Sequence, residues 1–221
     1  MRIVWLNKKN RDRVIIFFNG WGMDENAVIR LSGIYDLLMV YDYRHLENKN
    51  FPVLEEYQEI FVVAWSMGVW AASNVIPELP FSPSRLIALN GTEHPVDDHW
   101  GIPCRIYQLT EKGMDEKGRK KFIQRMLADS QEIQRLGENY SQRLLAEVCE
   151  ELVCIRQQST RMHNRLDWDK VYISEKDIIF PVKNQLNYWQ GRCANIYNLS
   201  GGHYPFYQFQ RWEEIIEGQK F

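Results

Sequence analysis

One serine lies in a segment whose residue types fit a nucleophile. The segment AWSMG (64–68) follows the apolar run EIFVVAW (59–65) and precedes small and apolar residues. A strand, a sharp turn and a helix in this order place a serine hydroxyl at the exposed tip of the turn. The usual pattern is G-x-S-x-G, and here Ala64 takes the place of the first glycine. We predict that Ser66 is a catalytic nucleophile, and an ordinary strand–turn–helix is the alternative.

A second segment contains backbone N–H groups that could stabilise the negative charge formed when a catalytic serine reacts. The apolar run RVIIFF (13–18) ends in NGWG (19–22), where two glycines let the backbone bend and present an N–H group to a small anionic atom. We therefore predict that the N–H groups of Trp21 and Met67 form an oxyanion hole. A structural turn is the alternative. NGWG matches neither glycine-rich nucleotide-binding pattern, which argues against nucleotide binding.

If the apolar runs form a parallel sheet, the general base for Ser66 must come from a loop at the carboxyl ends of its strands. His203 follows the last apolar run and two glycines, in NLSGGHYPF (198–206). We predict that His203 is the base. His94 and His99 flank an aspartate-rich loop and raise the alternative of a metal site. No third ligand accompanies them at metal-site spacing, so we predict no metal.

The acid of a serine triad orients the imidazole and stabilises its protonated form. In chain order it should lie between the serine and the histidine. Asp177 meets this requirement, because it lies in the loop after the apolar run KVYIS (170–174). Glu175 in the same loop is the backup, whereas Asp169 precedes the run and so belongs to the opposite edge. We predict Asp177 as the acid.

The elements that position these residues are short apolar runs that alternate with helix-like segments. Eight runs are predicted as strands, at 2–6, 13–18, 37–43, 59–65, 85–91, 104–110, 170–174 and 194–199. Helices are predicted near 24–32, 67–76, 182–190 and 206–217. This alternation indicates a single α/β domain over 1–221, with a mostly parallel sheet covered by helices on both faces. The first two runs are predicted to form a hairpin.

Residues 112–165 depart from this alternation. Apolar residues recur there at three- and four-residue steps, in 122–137 and 140–158, which predicts helices. We predict a helical lid inserted into the domain. The segment holds eleven Lys and Arg against eight Asp and Glu, although the whole chain has a net charge of −2. A solvated helical face is the alternative explanation of this basic balance.

Composition and charge exclude several classes of protein. Of the 221 residues, 45% are hydrophobic and 25% are charged, which is typical of a globular domain and argues against disorder. The nearly neutral charge argues against a nucleic-acid binder. The N-terminus lacks the apolar region of a signal peptide, and the uncharged apolar segment 60–76 is too short for a membrane span. The four cysteines form no CxxC pair, so we predict free thiols and a cytoplasmic protein.

Four motifs together resemble a known family. FFNGWGMD (17–24), AWSMG (64–68), ALNGTEHPVDDHWGIP (88–103) and SGGHYPF (200–206) are similar to the BioG-type pimeloyl-acyl-carrier-protein methyl ester esterases of the α/β-hydrolase superfamily. The resemblance implies hydrolysis of that methyl ester to methanol and a free carboxylate during biotin synthesis, without a cofactor. The related BioH-type esterases have a G-W-G loop whose tryptophan resembles Trp21.

The resemblance implies an acyl carrier protein as the partner. Because carrier proteins are acidic and present a phosphate, we predict that basic residues of the lid contact them. The arginines predicted for this role are Arg119, Arg125, Arg135, Arg143 and Arg156. Neighbouring candidates are Lys120, Lys121, Arg161 and Arg165.

Two other functions remain open at this stage. A general carboxylesterase or thioesterase would use the same three residues on another acyl substrate, because function depends on the pocket rather than the fold. A non-catalytic binding protein of the same fold is the second rival. Such proteins usually lack part of the triad, whereas this chain has a candidate for every member.

Overall fold

A computed structural model of the chain describes residues 1–127, 140–160 and 165–218. The strands in these ranges are β1 Arg2–Asn7, β2 Arg13–Phe18, β3 Asp36–Tyr41, β4 Glu59–Trp65, β5 Arg85–Leu89, β6 Lys170–Ser174 and β7 Ile196–Leu199. The α-helices are α1 Met67–Val75, α2 Cys104–Lys112, α3 Glu116–Met126, α4 Leu145–Ser159, α5 Val182–Trp189 and α6 Trp212–Glu217.

The seven strands form one sheet in the order β1-β3-β2-β4-β5-β6-β7. β1 pairs with β3 in the antiparallel direction, and every other neighbouring pair is parallel. The central strands β2 and β4 are apolar and almost completely buried, as expected for parallel strands that are covered on both faces. The predicted mostly parallel sheet is therefore confirmed.

The predicted hairpin of the first two strands is wrong. β2 lies between β3 and β4, and β1 pairs with β3 instead. The loop between β1 and β2 is tied to the start of β3, because the carboxylate of Asp36 accepts hydrogen bonds from the N–H groups of Lys9 and Arg11, at 2.8 and 3.2 Å. β2 is buried and gains a partner on each side, whereas the half-buried β1 suits the edge.

The predicted strand at 104–110 is also wrong, since this run forms α2. A short apolar run cannot be assigned to strand or helix by periodicity alone. Pro103 precedes the first turn of the helix, and Tyr107 is its buried residue. The Tyr107 hydroxyl donates to the carbonyl of Leu152 in α4 at 2.8 Å. This contact with another helix stabilises α2, and it leaves Ile106 and Leu109 partly exposed.

Two other predicted helices are shorter than expected. In the segment 24–32, a single 3-10 turn forms over Glu25–Ala27. Asp24 caps it by accepting the N–H of Asn26 at 3.1 Å, and the backbone leaves helical geometry at Val28. In the segment 206–217, a 3-10 turn over Phe206–Gln208 precedes α6.

The predicted insertion is mainly helical in its described residues, although 140–144, predicted as helix, precede the start of α4. α3 and α4 lie within 112–165, and no strand occurs in its described residues. The helical region begins earlier than predicted, at Cys104, because α2 precedes α3. The remainder of the predicted helix over 122–137, past residue 127, lies outside the described residues. The role of this region as a lid stays a prediction.

Aromatic packing at the carboxyl edge brings the C-terminal segment onto the sheet. Phe17 of β2 contacts the rings of Phe206 and Trp212, with centroids 5.6 and 5.3 Å apart. Trp65 at the end of β4 contacts Tyr204 and Phe206 at 5.7 and 5.2 Å. These contacts hold the residues around 203 next to the end of β4. In the described ranges, no helix is long and apolar enough to cross a bilayer.

Candidate active site

The turn that carries Ser66 is closely packed on two sides. Ser66 joins β4 to α1 with φ 59° and ψ −126°, a left-handed conformation that is rare for residues with a side chain. A Cβ atom on Gly68 would lie 2.2 Å from the carbonyl oxygen of Phe18. A Cβ atom on Gly91 would lie 2.2 Å from the carbonyl oxygen of Ser66 itself. Positions 68 and 91 must therefore be glycine, because any side chain there would collide with the backbone on either side of the turn.

The three residues predicted to form a triad lie in hydrogen-bond contact. The Ser66 Oγ atom is 2.8 Å from His203 Nε2, and His203 Nδ1 is 2.8 Å from Asp177 Oδ2. All three residues are buried, with 5% of Ser66, 1% of His203 and 4% of Asp177 exposed. They come from the turn after β4, the loop after β7 and the loop after β6. This arrangement allows His203 to take a proton from Ser66 while Asp177 orients the ring.

The backbone of His203 is fixed by two side chains. Its carbonyl oxygen accepts hydrogen bonds from Trp65 Nε1 and Asn90 Nδ2, each at 2.9 Å. The imidazole ring is nearly parallel to the ring of Phe180, with an interplanar angle of 9° and centroids 6.1 Å apart. These contacts restrict the orientations that the imidazole can adopt relative to Ser66.

The carboxylate of Asp177 is fully occupied by donors. Oδ1 accepts the N–H groups of Ile179 and Phe180, each at 2.9 Å. Oδ2 accepts the side-chain amide of Gln185 at 3.0 Å in addition to His203. Gln185 lies on α5, and our sequence analysis missed it. α5 contains three other polar residues, so only the placement of the helix shows that Gln185 is the one that is fully buried against Asp177.

Exchanging Asp177 for asparagine is expected to lower kcat by about 10⁴-fold, because an amide favours the wrong imidazole tautomer. The matched control is Glu175→Gln, which neutralises the backup acid. Glu175 is exposed in the same loop, so its variant should keep near wild-type activity. Steady-state rates on a nitrophenyl ester measure the activity of the two variants. An inactive Glu175→Gln together with an active Asp177→Asn would reassign the acid to Glu175.

The two residues predicted for the oxyanion hole border one apolar cleft. Trp21 and Met67 both line it. Neither backbone N–H group donates a hydrogen bond to an acceptor within the described ranges. Both N–H groups are thus without an internal acceptor in these ranges, as the donors of an oxyanion hole must be, and their joint role in such a hole stays a prediction.

The cleft is narrow and apolar. Besides Trp21 and Met67 it is lined by Ile102, Ile106, Tyr107, Thr110, Phe122, Arg125, Leu152, Ile178 and Ile179. Its free volume of ≈ 20 Å³ holds about one water molecule.

A family model described as "Pimeloyl-ACP methyl esterase BioG" matches residues 1–215. The chain belongs to the BioG family. A crystal structure of BioG from Haemophilus influenzae has a TM-score of 0.88 to this chain at 32% identity, covering 97% of this chain and 99% of that one. The BioG family membership therefore rests on both sequence and structure.

Two further relatives extend the comparison. A Bacteroides fragilis (strain 638R) protein named malonyl-[acyl-carrier protein] O-methyltransferase is 42% identical over 196 residues, 88% of this chain. The chain spans 40% of that protein's length. A putative aryl esterase from Burkholderia cenocepacia has a TM-score of 0.64 at 14% identity, covering 93% of this chain and 88% of that one. The last likeness shows an α/β-hydrolase fold and no more.

Two of the arginines predicted to bind a carrier protein are used inside the molecule. The guanidinium of Arg143 is 2% exposed and lies 3.2 Å from Asp42 and 2.5 Å from Glu151. Arg119 donates to the carbonyl oxygens of Arg143 and Ser141 at 2.9 and 3.3 Å. Burial of the Arg143 guanidinium leaves no surface for a carrier, so its predicted role is replaced by a structural one.

The remaining predicted arginines differ in exposure and pairing. Arg156 is partly exposed and forms a two-bond ion pair with Glu111, at 2.8 and 3.1 Å. Arg125 is exposed, borders the apolar cleft and has no ion-pair partner within the described ranges. Arg135 and Arg161 lie outside the described residues. Among the described arginines of this group, Arg125 is the one that is exposed beside the cleft.

Proposed function

We propose that this BioG-family protein is a serine esterase that hydrolyses the methyl ester of pimeloyl-acyl-carrier protein. The observation that carries the proposal is the hydrogen-bonded series Ser66–His203–Asp177, with both contacts at 2.8 Å, beside an apolar cleft. The family description names the same substrate class. A pimeloyl chain is apolar along its methylene groups, which suits the lining of the cleft.

In the proposed mechanism, Ser66 Oγ attacks the ester carbonyl carbon while His203 Nε2 takes the hydroxyl proton. The N–H groups of Trp21 and Met67 stabilise the oxyanion of the tetrahedral intermediate. The intermediate collapses as His203 returns the proton to the methoxide, which leaves as methanol. His203 then deprotonates a water molecule, whose oxygen attacks the carbonyl carbon of the acyl-enzyme. As this second tetrahedral intermediate collapses, His203 returns the proton to Ser66 Oγ and the acid leaves, ionising to the free carboxylate.

The Bacteroides relative supports a carrier-bound ester. Its name describes methyl transfer to malonyl-acyl-carrier protein, which forms a methyl ester on a carrier-bound acid. The hydrolysis proposed here cleaves the same type of methyl ester and releases methanol. This relationship between the two reactions favours an acyl carrier protein as the partner over a small free ester.

A basic surface next to the cleft fits the phosphate of a carrier protein's arm. Lys121 and Arg125 are exposed on α3, and both border a groove beside the cleft that is also lined by Ile106 and Phe122. The arginine fork suits a phosphate because it donates two hydrogen bonds at once. We place the entry of the carrier's arm at this groove.

The double variant Lys121→Glu/Arg125→Glu is expected to raise KM for the carrier-linked ester about 10-fold or more at low salt. The reason is that charge reversal repels the acidic carrier, and salt screens this repulsion. The matched control is Lys8→Glu/Lys49→Glu, which reverses two exposed lysines elsewhere on the molecule. Both variants should hydrolyse a small neutral ester at close to the wild-type rate. Unchanged KM for the carrier-linked ester would contradict this docking site.

Hydrolysis of pimeloyl methyl ester on its carrier protein, followed by mass spectrometry, tests the proposed function. Loss of the methyl group and growth of a biotin auxotroph that lacks its own esterase are expected. Rapid hydrolysis of nitrophenyl esters with no activity on the carrier-linked ester would favour a general carboxylesterase or thioesterase. Absence of turnover on every ester would favour a non-catalytic binding protein.

A further inference from the structure

A buried carboxylate connects α4 to the loop that carries Trp21. Glu151 has no exposed surface, and its Oε2 accepts the N–H of Gly22 at 3.2 Å. Its Oε1 accepts the N–H of Tyr43 at 2.7 Å, and Oε2 also accepts a hydrogen bond from Arg143. The residue following Trp21 is thus held directly by a side chain from a distant helix.

A second route leads from the same carboxylate to the other end of the loop. Tyr43, whose N–H is held by Glu151, donates its own hydroxyl to the carbonyl oxygen of Asn19 at 2.6 Å. The indole Nε1 of Trp21 donates to the carbonyl of Val148, also on α4, at 2.9 Å. The loop is therefore held at both ends and at its central side chain, while the Trp21 N–H itself has no acceptor within the described ranges.

The charge of Glu151 is balanced inside the protein. Burial raises the pKa of Glu151 above its usual value, while Arg143 and the N–H of Tyr43 act in the opposite direction. Arg143 lies between Glu151 and Asp42, and Asp42 also pairs with Arg44 at 2.7 Å. A buried ion pair is a weak source of stability, because desolvation offsets its attraction. The position of the Arg143–Glu151 pair is better explained by the hydrogen bond from Glu151 to the loop that carries Trp21.

We propose that Glu151, oriented by Arg143, is a positioning residue that holds the Trp21 N–H in place for the oxyanion of the reaction. This inference rests on the proposed ester hydrolysis. It gives α4, which already lines the cleft through Leu152, a second role in the active site. Since the oxyanion forms in the transition state, loss of this support should lower kcat and leave KM nearly unchanged.

The decisive variant is Arg143→Met/Glu151→Leu, because replacing both members of a buried pair by apolar residues leaves no unpaired charge. We expect kcat on a nitrophenyl ester to fall about 10- to 100-fold, less than the loss from deleting a whole oxyanion donor. Glu151→Gln keeps one oxygen acceptor, so its kcat should fall less than that of the double variant. The matched control is Glu150→Gln, which changes an exposed carboxylate on the same helix and should leave activity unchanged.

A trifluoromethyl ketone separates positioning from general damage. Ser66 adds to its carbonyl carbon, His203 takes the proton, and the adduct carries an oxyanion. The inhibition constant should rise in proportion to the loss of kcat/KM, whereas the affinity for a free carboxylate product should not change. Circular dichroism and the melting temperature establish that each variant is folded.

Two results would overturn the inference. One is a folded double variant, or a folded Glu151→Gln if the double variant does not fold, with wild-type kcat and ketone affinity. The other is a parallel loss of ketone and product affinity. If the wild-type protein hydrolyses no ester, the proposed function fails instead, and the two failures are distinct.

Discussion

Replacing Ser66 with alanine is expected to lower kcat for ester hydrolysis by about 10⁶-fold. The reason is that no covalent acyl-enzyme can form once the hydroxyl is removed, and nucleophile loss in serine enzymes has an effect of this order. The fold should persist, because the Ser66 side chain caps no helix N–H group and its closely packed neighbours are backbone atoms. The measurement is the turnover of a nitrophenyl ester, together with the melting temperature.

A fluorophosphonate probe supplies the control for the serine prediction. It should label the wild-type protein at Ser66 and leave the Ser66→Ala variant unlabelled. Ser82→Ala is the matched substitution, since Ser82 is an exposed serine away from the site. Its activity and labelling should equal those of the wild type. If Ser66→Ala keeps more than a tenth of the activity, Ser66 is not the nucleophile.

Replacing His203 with alanine is expected to cost nearly as much, also about 10⁶-fold in kcat, because the proton of Ser66 then has no acceptor. The hydrogen bonds that hold residue 203 involve its carbonyl oxygen, so they survive loss of the ring. The matched control is His99→Ala, which removes an exposed histidine and should leave turnover unchanged.

The double variant Ser66→Ala/His203→Ala tests whether the two residues act as a unit. Residues of one catalytic unit are strongly non-additive, so the double variant should be no less active than either single variant. Single-turnover and steady-state rates on the same ester measure this. A double variant whose loss equals the product of the two single losses would show that His203 acts independently of Ser66.

Local sequence was sufficient for the parts of the site that depend on neighbouring residues. The serine turn requires a buried strand, small residues and a helix within about a dozen positions, and all of these are contiguous around Ser66. The position of His203 follows from two glycines after the last strand. Its 2.8 Å contact with Ser66 agrees with the geometry expected for the base.

Assignments that depend on distant partners were less accurate. The run 104–110 has the composition of a strand and becomes α2, where Tyr107 finds a partner on α4. β1 was expected to pair with β2, but the side chain of Asp36 holds the intervening loop at the start of β3. In both cases the competing structures have similar local propensities, and a contact from another part of the chain decides between them.

The sequence by itself determined the alternation of buried strands and helices that indicates a mostly parallel sheet, the turn at Ser66 and the loop positions of Asp177 and His203. The strands, the turn and the loops are each recognised from residues that are close together in the chain. Tertiary structure alone decided that Arg143 is buried against Glu151 instead of facing a partner, and that Glu151 reaches Gly22 across 129 positions of sequence. The physical reason is that a charged residue has the same sequence pattern whether it faces water or a buried counter-charge, and only the packing of α4 and of the segment before it distinguishes the two.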